Sequence, residues 1–234
     1  MQTDAVLTRE SFPFAAVLWD MDGTLIDSEP IWISQERELM NSMGVHWSQE
    51  DAIHCIGGPM TRVDAYMRKK LSPELQEQYP EMALTKILLS RMELELAKGV
   101  DFAPGAERLF HQITQLGVPQ ALVSASSRPL VDAALTFIGR ERFQVTISND
   151  EVVESKPSPE GYLSAATQLG VDIKNCLILE DSVTGVTAAI NSGAFVLAIP
   201  HVANLPIAPK VVHKTTLESL NLQDLVDLFE EVRG

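Results

Sequence analysis

Short apolar runs alternate along most of this chain with stretches whose apolar residues recur every three or four positions. The first run, Ala15-Ala16-Val17-Leu18-Trp19, predicts a buried strand. Beyond Phe102 the alternation is regular. Residues 106–116 place Leu109, Phe110, Ile113 and Leu116 on one helical face and stop at Gly117, and residues 120–123 then read as extended. Helical spacing returns at 129–138, 159–169 and 182–192, the last two halted by Gly170 and Gly193, with extended apolar runs at 145–147, 176–179 and 195–199. Strands this short and apolar, joined by amphipathic helices, predict a parallel sheet covered on both faces. A further helix is expected over 217–232.

Residues 28–98 break the rhythm. Ser28 is placed to cap a helix with Pro30 in its first turn; Trp32, Leu39, Met40 and Met43 follow at helical spacing, and Gly44 ends the segment. More helices are expected at 49–56, 61–70 and 79–98, with Pro73 and Pro80 as interruptions, and no strand pattern occurs there. The fold class expected is therefore α/β. Its core domain is formed by residues 1–27 and 99–234, and residues 28–98 form a small all-helical cap inserted after the first strand, a lid hinged at two chain crossings.

A chain of 234 residues can bury a substantial core, and a formal charge of −14 excludes a polyanionic partner such as nucleic acid, which needs a basic surface. A small anionic substrate is compatible if local positive charge offsets the overall field. Cys55 and Cys176 lie far apart, and Cys176 opens an apolar run, so buried thiols are expected rather than a disulfide or a metal site. The start of the chain carries Asp4, Arg9 and Glu10 where a secretory signal needs an unbroken apolar stretch, and no apolar run reaches membrane-spanning length. The expectation is a cytoplasmic protein, neither exported nor membrane-bound.

Chemistry-bearing residues collect at the ends of the expected strands. Asp20-Met21-Asp22-Gly23-Thr24 follows the first, and alternation sends both carboxylates to the same side, where one can attack an electrophile while the other handles a proton. Its plainer reading is a solvated Asp-Gly turn. Ser124-Ala125-Ser126-Ser127 follows the second strand, where hydroxyls and backbone N–H groups can hold phosphate oxygens or simply cap a helix. Lys156 lies in the proline-stiffened turn Ser155-Lys156-Pro157-Ser158-Pro159, as a charge neutraliser or a surface cation. Glu180-Asp181 follows the strand at 176–179 and offers oxygen ligands to a hard cation, or a cap to the next helix by Asp181 or Ser182.

In this order and context, the four segments resemble the motifs of the haloacid dehalogenase superfamily of phosphohydrolases, over residues 15–27 and 102–199. The Asp20 to Pro30 and Leu179 to Gly185 segments are similar to those of its sugar-phosphate phosphatases, hexitol and 2-deoxyglucose-6-phosphate phosphatases among them, and of the related β-phosphoglucomutases. The resemblance implies a Rossmann-like core and a Mg2+-dependent phosphatase for a small phosphorylated metabolite, acting as a monomer. It makes Asp20 the nucleophile that becomes an aspartyl phosphate and Asp22 the general acid and then base. Mg2+ would be held by Asp20, the Asp22 backbone carbonyl and Asp181, with Glu180 among or beside the ligands. Ser124, with Ala125 and Ser126, would bind the phosphoryl group, and Lys156 would neutralise its charge. The turn Ile56-Gly57-Gly58-Pro59-Met60-Thr61-Arg62 resembles the family's specificity loop, implying substrate contacts at Gly57 and Arg62, with His54 and Trp32 as weaker candidates and a helix-connecting turn as the plain alternative.

Departures from the pattern sort the branches. Dehalogenases lack an acid at the position of Asp22. β-Phosphoglucomutase-like chains carry a histidine where this chain has Trp32. A phosphonate hydrolase would need a Schiff-base lysine, for which Lys69, Lys70 and Lys86 are the cap candidates, and a catalytically inactive binding protein would have no use for all six motif side chains together.

Overall fold

In a computed structural model, which describes residues 7–56, 59–200 and 204–233 with side chains to Glu230, the first apolar run forms strand β1 (Ala16–Trp19). Helices α1 (Glu29–Ser42), α2 (Gln49–Cys55), α3 (Met60–Lys69), α4 (Pro73–Gln78) and α5 (Ala83–Lys98) follow. The chain then alternates: α6 (Ala106–Gln115), β2 (Gln120–Val123), α7 (Arg128–Ile138), β3 (Val145–Ile147), α8 (Glu160–Leu169), β4 (Cys176–Glu180), α9 (Val183–Ser192), β5 (Phe195–Ala198), β6 (Val211–His213) and α10 (Leu222–Arg233). Two compact units result, Met1–Asp27 with Asp101–Gly234, and Ser28–Val100.

The first unit is built on a six-stranded, wholly parallel sheet in the order β3-β2-β1-β4-β5-β6. Residues of β1, β2, β4 and β5 are buried on both faces, which explains why these strands read as apolar runs, with polar residues only at Gln120 and Glu180 on their ends. On one face Ala16, Leu18, Val123, Ile178 and Val196 pack with Tyr162 and Ala165 of α8 and Val186 and Ala189 of α9. On the other, Trp19 meets Phe110 of α6 edge to face, and Phe14, Phe195 and Phe229 of α10 form a trio of edge-to-face pairs with centroids 5.2–5.6 Å apart. Cys55 and Cys176 are free and buried, as expected, and burial pushes both thiols up to about 12. Among the described residues no helix is long and apolar enough to cross a membrane.

The differences from the expected elements have local causes. Strand β6 is too short for its alternation to register, and α10 begins at Leu222 because Asn221 Oδ1 accepts the Gln223 and Asp224 N–H groups at 2.8 and 3.1 Å. Pro73, read as an interruption, instead sits in the first turn of α4, where Ser72 caps the Leu75 N–H and a missing N–H costs nothing. The helix expected over 79–98 begins only at Ala83, after Met82 at φ 64°. Ser28 precedes α1, yet its side chain makes no capping bond to that helix.

Buried acids organise the helical unit. Asp64 accepts the Met82 and Thr85 N–H groups at 2.9 and 3.1 Å, capping α5 from α3. Asp51 completes a capping box with Ser48 and also receives Tyr66 and Lys70. Glu36 is different. It is 4% exposed, its Oε2 lacks a hydrogen-bond partner among the described residues, and burial together with the Glu29 charge one heptad earlier raises its carboxyl from 4.5 to about 7, against a smaller opposing influence of the nearby Trp47 indole. Because the folded pKa lies above the unfolded one, the folded state binds the extra proton between pH 4.5 and 7, and stability is lost as pH rises through that window. Glu36→Gln should therefore raise the free energy of unfolding at pH 8 by on the order of 3 kcal/mol, and the gain should shrink toward zero near pH 4.5. Denaturant titrations of both proteins at pH 8 and pH 5 measure it, and an equal difference at the two values would refute it.

Candidate active site

Parallel pairing decides what meets what. Trp19 is in register with Leu122 of β2 on one side and Leu179 of β4 on the other, so the residues that follow these strands emerge side by side at their carboxyl ends. This is the switch point of the sheet, where the chain leaves β1 toward β2 and later returns to its other flank as β4. Asp20 and Glu180-Asp181 are thus neighbours, and Ser124 stands beside them.

Lys156, from the turn before α8, reaches into this edge. Its ammonium lies 2.5 Å from Asp20 Oδ1, 2.7 Å from Glu180 Oε1 and 3.0 Å from the Val123 carbonyl, so each of its N–H bonds has an acceptor. The side chain is only 8% exposed. Burial by itself would lower the Lys156 pKa; the two carboxylates outweigh it and raise it, keeping the charge.

Glu180 is fully buried and hydrogen-bonded on both oxygens. Oε1 accepts from Lys156 and from the Tyr162 hydroxyl at 2.6 Å; Oε2 accepts from Asp181 N, Ser182 N and Ser182 Oγ at 3.2–3.4 Å, at the amino end of α9. Ser182, not Asp181, caps α9, its Oγ accepting Gly185 N at 3.0 Å. Tyr162 does more than pack: besides its bond to Glu180, its ring lies 5.0 Å from the Lys156 ammonium. Sequence reasoning passed over it, since on an apolar helix face a tyrosine reads as core; the available signal was that a buried phenol needs a hydrogen-bond partner.

Asp20, Glu180 and Asp181 offer carboxylate oxygens within 4.8 Å of one another. Burial first, then repulsion from Glu180, lifts Asp20 to about 7 despite the opposing pull of Lys156; burial and then Asp20 lift Asp181 to about 9. One ammonium does not balance this group. Hard oxygen donors with unmatched negative charge fit a small divalent cation such as Mg2+. The turn that carries Asp22 is tight, with Gly23 at φ 82° and the Met21 carbonyl accepting the Leu25 and Ile26 N–H groups at 3.0 Å. From that turn Thr24 Oγ1 donates to Asp181 Oδ1 at 3.2 Å.

The remaining sequence candidates are placed as follows. Ser124 is buried, with its Oγ accepting Ser126 N at 2.9 Å, and Ala125 is exposed beside it. The Ser126 hydroxyl donates to Asp22 Oδ2 at 2.8 Å. Arg62 belongs to the helical unit, is exposed and reaches the Ile56 carbonyl at 3.3 Å; Gly57 lies outside the described residues. In the same unit His54 stacks on Tyr66 at 4.0 Å and Trp32 is half-buried on α1.

A doubly wound sheet with carboxylates clustered round a buried lysine at its switch point has the form of an α/β enzyme whose site lies at the carboxyl edge of the sheet. The family model of haloacid dehalogenase-like hydrolases matches residues 17–199, and the chain belongs to that family, as a phosphoric monoester hydrolase. It is 32% identical over 222 residues to a bifunctional riboflavin kinase/FMN phosphatase of Arabidopsis thaliana, covering 94% of this chain and 56% of that protein, so the chain spans about half of that relative's length. It is 30% identical over 220 residues to hexitol phosphatase B of Escherichia coli K12, covering 90% and 96%. Among solved structures, CbbY of Rhodobacter sphaeroides in complex with phosphate aligns with TM-score 0.71 at 25% identity, over 88% of this chain and 96% of that one.

The hold on Glu180 is testable at Gly185, where an added Cβ would lie 1.9–2.0 Å from the carboxylate atoms of Glu180. Gly185→Ala must push Glu180, and Lys156 with it, out of place. We expect kcat to fall by about 10²-fold, the scale of a misplacement near 1 Å, while circular dichroism still reports a folded chain. An unchanged kcat would show that Glu180 can shift without consequence.

Proposed function

We propose that this chain is a Mg2+-dependent phosphatase that hydrolyses a small phosphate monoester, a sugar or sugar-alcohol phosphate, through an aspartyl phosphate on Asp20. The observation that carries the reading is the buried Lys156 ammonium bridging Asp20 and Glu180 at 2.5 and 2.7 Å, inside a carboxylate cluster that stays short of positive charge. Asp20, Asp181 and the Asp22 backbone carbonyl would hold Mg2+, with Glu180 beside them, since both its oxygens already accept protein donors. When bound, the cation supplies the charge that keeps Asp20 ionised and offsets the phosphoryl oxygens.

Asp20 attacks phosphorus, the bond to the leaving oxygen breaks, and Asp22 gives that oxygen its proton. Asp22, now a base, takes a proton from water, which attacks the same phosphorus, releasing phosphate and restoring Asp20. Ser124 holds a phosphoryl oxygen and Lys156 offsets the charge that develops on it. To the helical unit we assign the part of a cap that selects the leaving group, with Arg62 as a candidate contact. The name of the hexitol phosphatase, matched over nearly its whole length, supports a sugar-alcohol substrate.

Trp32, in the mutases' histidine position, has no base to activate a second sugar hydroxyl, which favours water as the acceptor. A phosphonate hydrolase finds no amine nucleophile in Lys70, because hydrogen bonding to Asp51 raises its pKa and keeps it charged.

Phosphate release from a panel of hexose, hexitol, pentose and nucleotide monoesters should require Mg2+ and be abolished by EDTA. Full activity in EDTA would refute the reading, and build-up of glucose 6-phosphate from β-glucose 1-phosphate would make the enzyme a mutase. Separately, Asp20→Asn should prevent any covalent phosphoryl adduct in acid-quenched turnover, while Asp22→Asn should lower kcat by about 10²- to 10⁴-fold. A labelled adduct in Asp20→Asn would mean that the nucleophile is another residue.

A further inference from the structure

Ser126 stands at the end of β2 among residues suited to hold phosphate, yet its hydroxyl is directed at the carboxylate of Asp22, from a different loop, at 2.8 Å. Its backbone is held on both sides. Ser126 N donates to Ser124 Oγ at 2.9 Å, the Ser126 carbonyl accepts Asn149 N at 2.9 Å, and Ser124 N donates to the Ile147 carbonyl of β3 at 2.9 Å. The hydroxyl is therefore carried by a segment hydrogen-bonded to the ends of β2 and β3, whereas Asp22 sits on the turn after β1. A donor on Oδ2 opposes rotation about the Cβ–Cγ bond of Asp22, and that rotation sets where Oδ1 points.

We propose that Ser126 is a positioning residue for Asp22, aiming the proton that Asp22 delivers to the leaving oxygen. The inference rests on the acid–base reading of Asp22. It differs in kind from a phosphate contact. A phosphate contact aids every ester alike, because all share the phosphoryl group; a device that aims a proton matters only where the leaving oxygen cannot depart as an anion. A sugar or hexitol alkoxide needs the proton, and p-nitrophenolate does not.

The experiment compares kcat/KM for a hexitol phosphate and for p-nitrophenyl phosphate in the parent enzyme, Ser126→Ala, Ser126→Thr and Asp22→Asn. This quantity reports the steps through departure of the leaving group, and the ratio of the two esters is independent of the fraction of folded enzyme. In Ser126→Ala the alkyl ester should lose about tenfold more than the aryl ester. Ser126→Thr keeps the hydroxyl and should keep the parent's ratio, and Asp22→Asn should show the same discrimination, larger. Equal losses on both esters in Ser126→Ala would make Ser126 a phosphate contact and overturn the inference, as would no loss on either ester, or a Thr variant that behaves like Ala. Equal losses in Asp22→Asn would instead remove the acid–base reading itself, which separates the two failures.

Discussion

An ammonium group cannot be buried without acceptors for its protons and charge to oppose its own, and the candidate site is organised around how Lys156 meets that requirement. Its three partners come from the ends of three adjacent strands: Asp20 after β1, the Val123 carbonyl of β2 and Glu180 at the end of β4. One side chain thereby ties the carboxyl edge of the sheet together. The same contacts make the site sensitive. Removing either carboxylate would leave the lysine's charge unmatched, and removing the lysine would leave carboxylates crowded at less than 5 Å.

Glu180 shows how much surrounding structure such a centre needs. Its carboxylate lies against the amino end of α9, takes donors from Tyr162 of α8 and from Ser182, and fits only because position 185 has no side chain. The arrangement still falls short of electrical balance, as the upward shifts of Asp20 and Asp181 record. That shortfall is of a piece with the proposed chemistry, in which further positive charge arrives with the cation. Buried acids elsewhere are treated differently. Asp51 and Asp64 in the helical unit are matched by helix-capping N–H groups and, for Asp51, a lysine, while Glu36 has an oxygen without a partner among the described residues.

Much of the architecture was legible in the chain itself. β1, β2, β3, β4 and β5 fall within a residue of the extended runs, because strands buried on both faces are mostly apolar, with only Gln120, Thr146 and Glu180 as polar positions. Short elements and local turns were less visible: α4, which begins at a proline, the left-handed residue before α5, and β6, whose half-buried valines carry no alternation.

The site divides along the same line. Local sequence determined that Asp20, Asp22, Ser124, Glu180 and Asp181 each sit at or just after a strand end, since polar residues directly after an apolar strand have only the sheet edge to occupy, whereas Lys156 read only as a cation in a turn before a helix. Only the tertiary structure decided which of them touch. That Lys156 bridges Asp20 and Glu180, that Tyr162 completes Glu180, that Gly185 makes room for it and that Ser126 turns to Asp22 are contacts between segments up to 136 residues apart. Their geometry is set by parallel register and helix placement, which depend on how distant apolar faces pack and leave no trace in the spacing of the residues themselves.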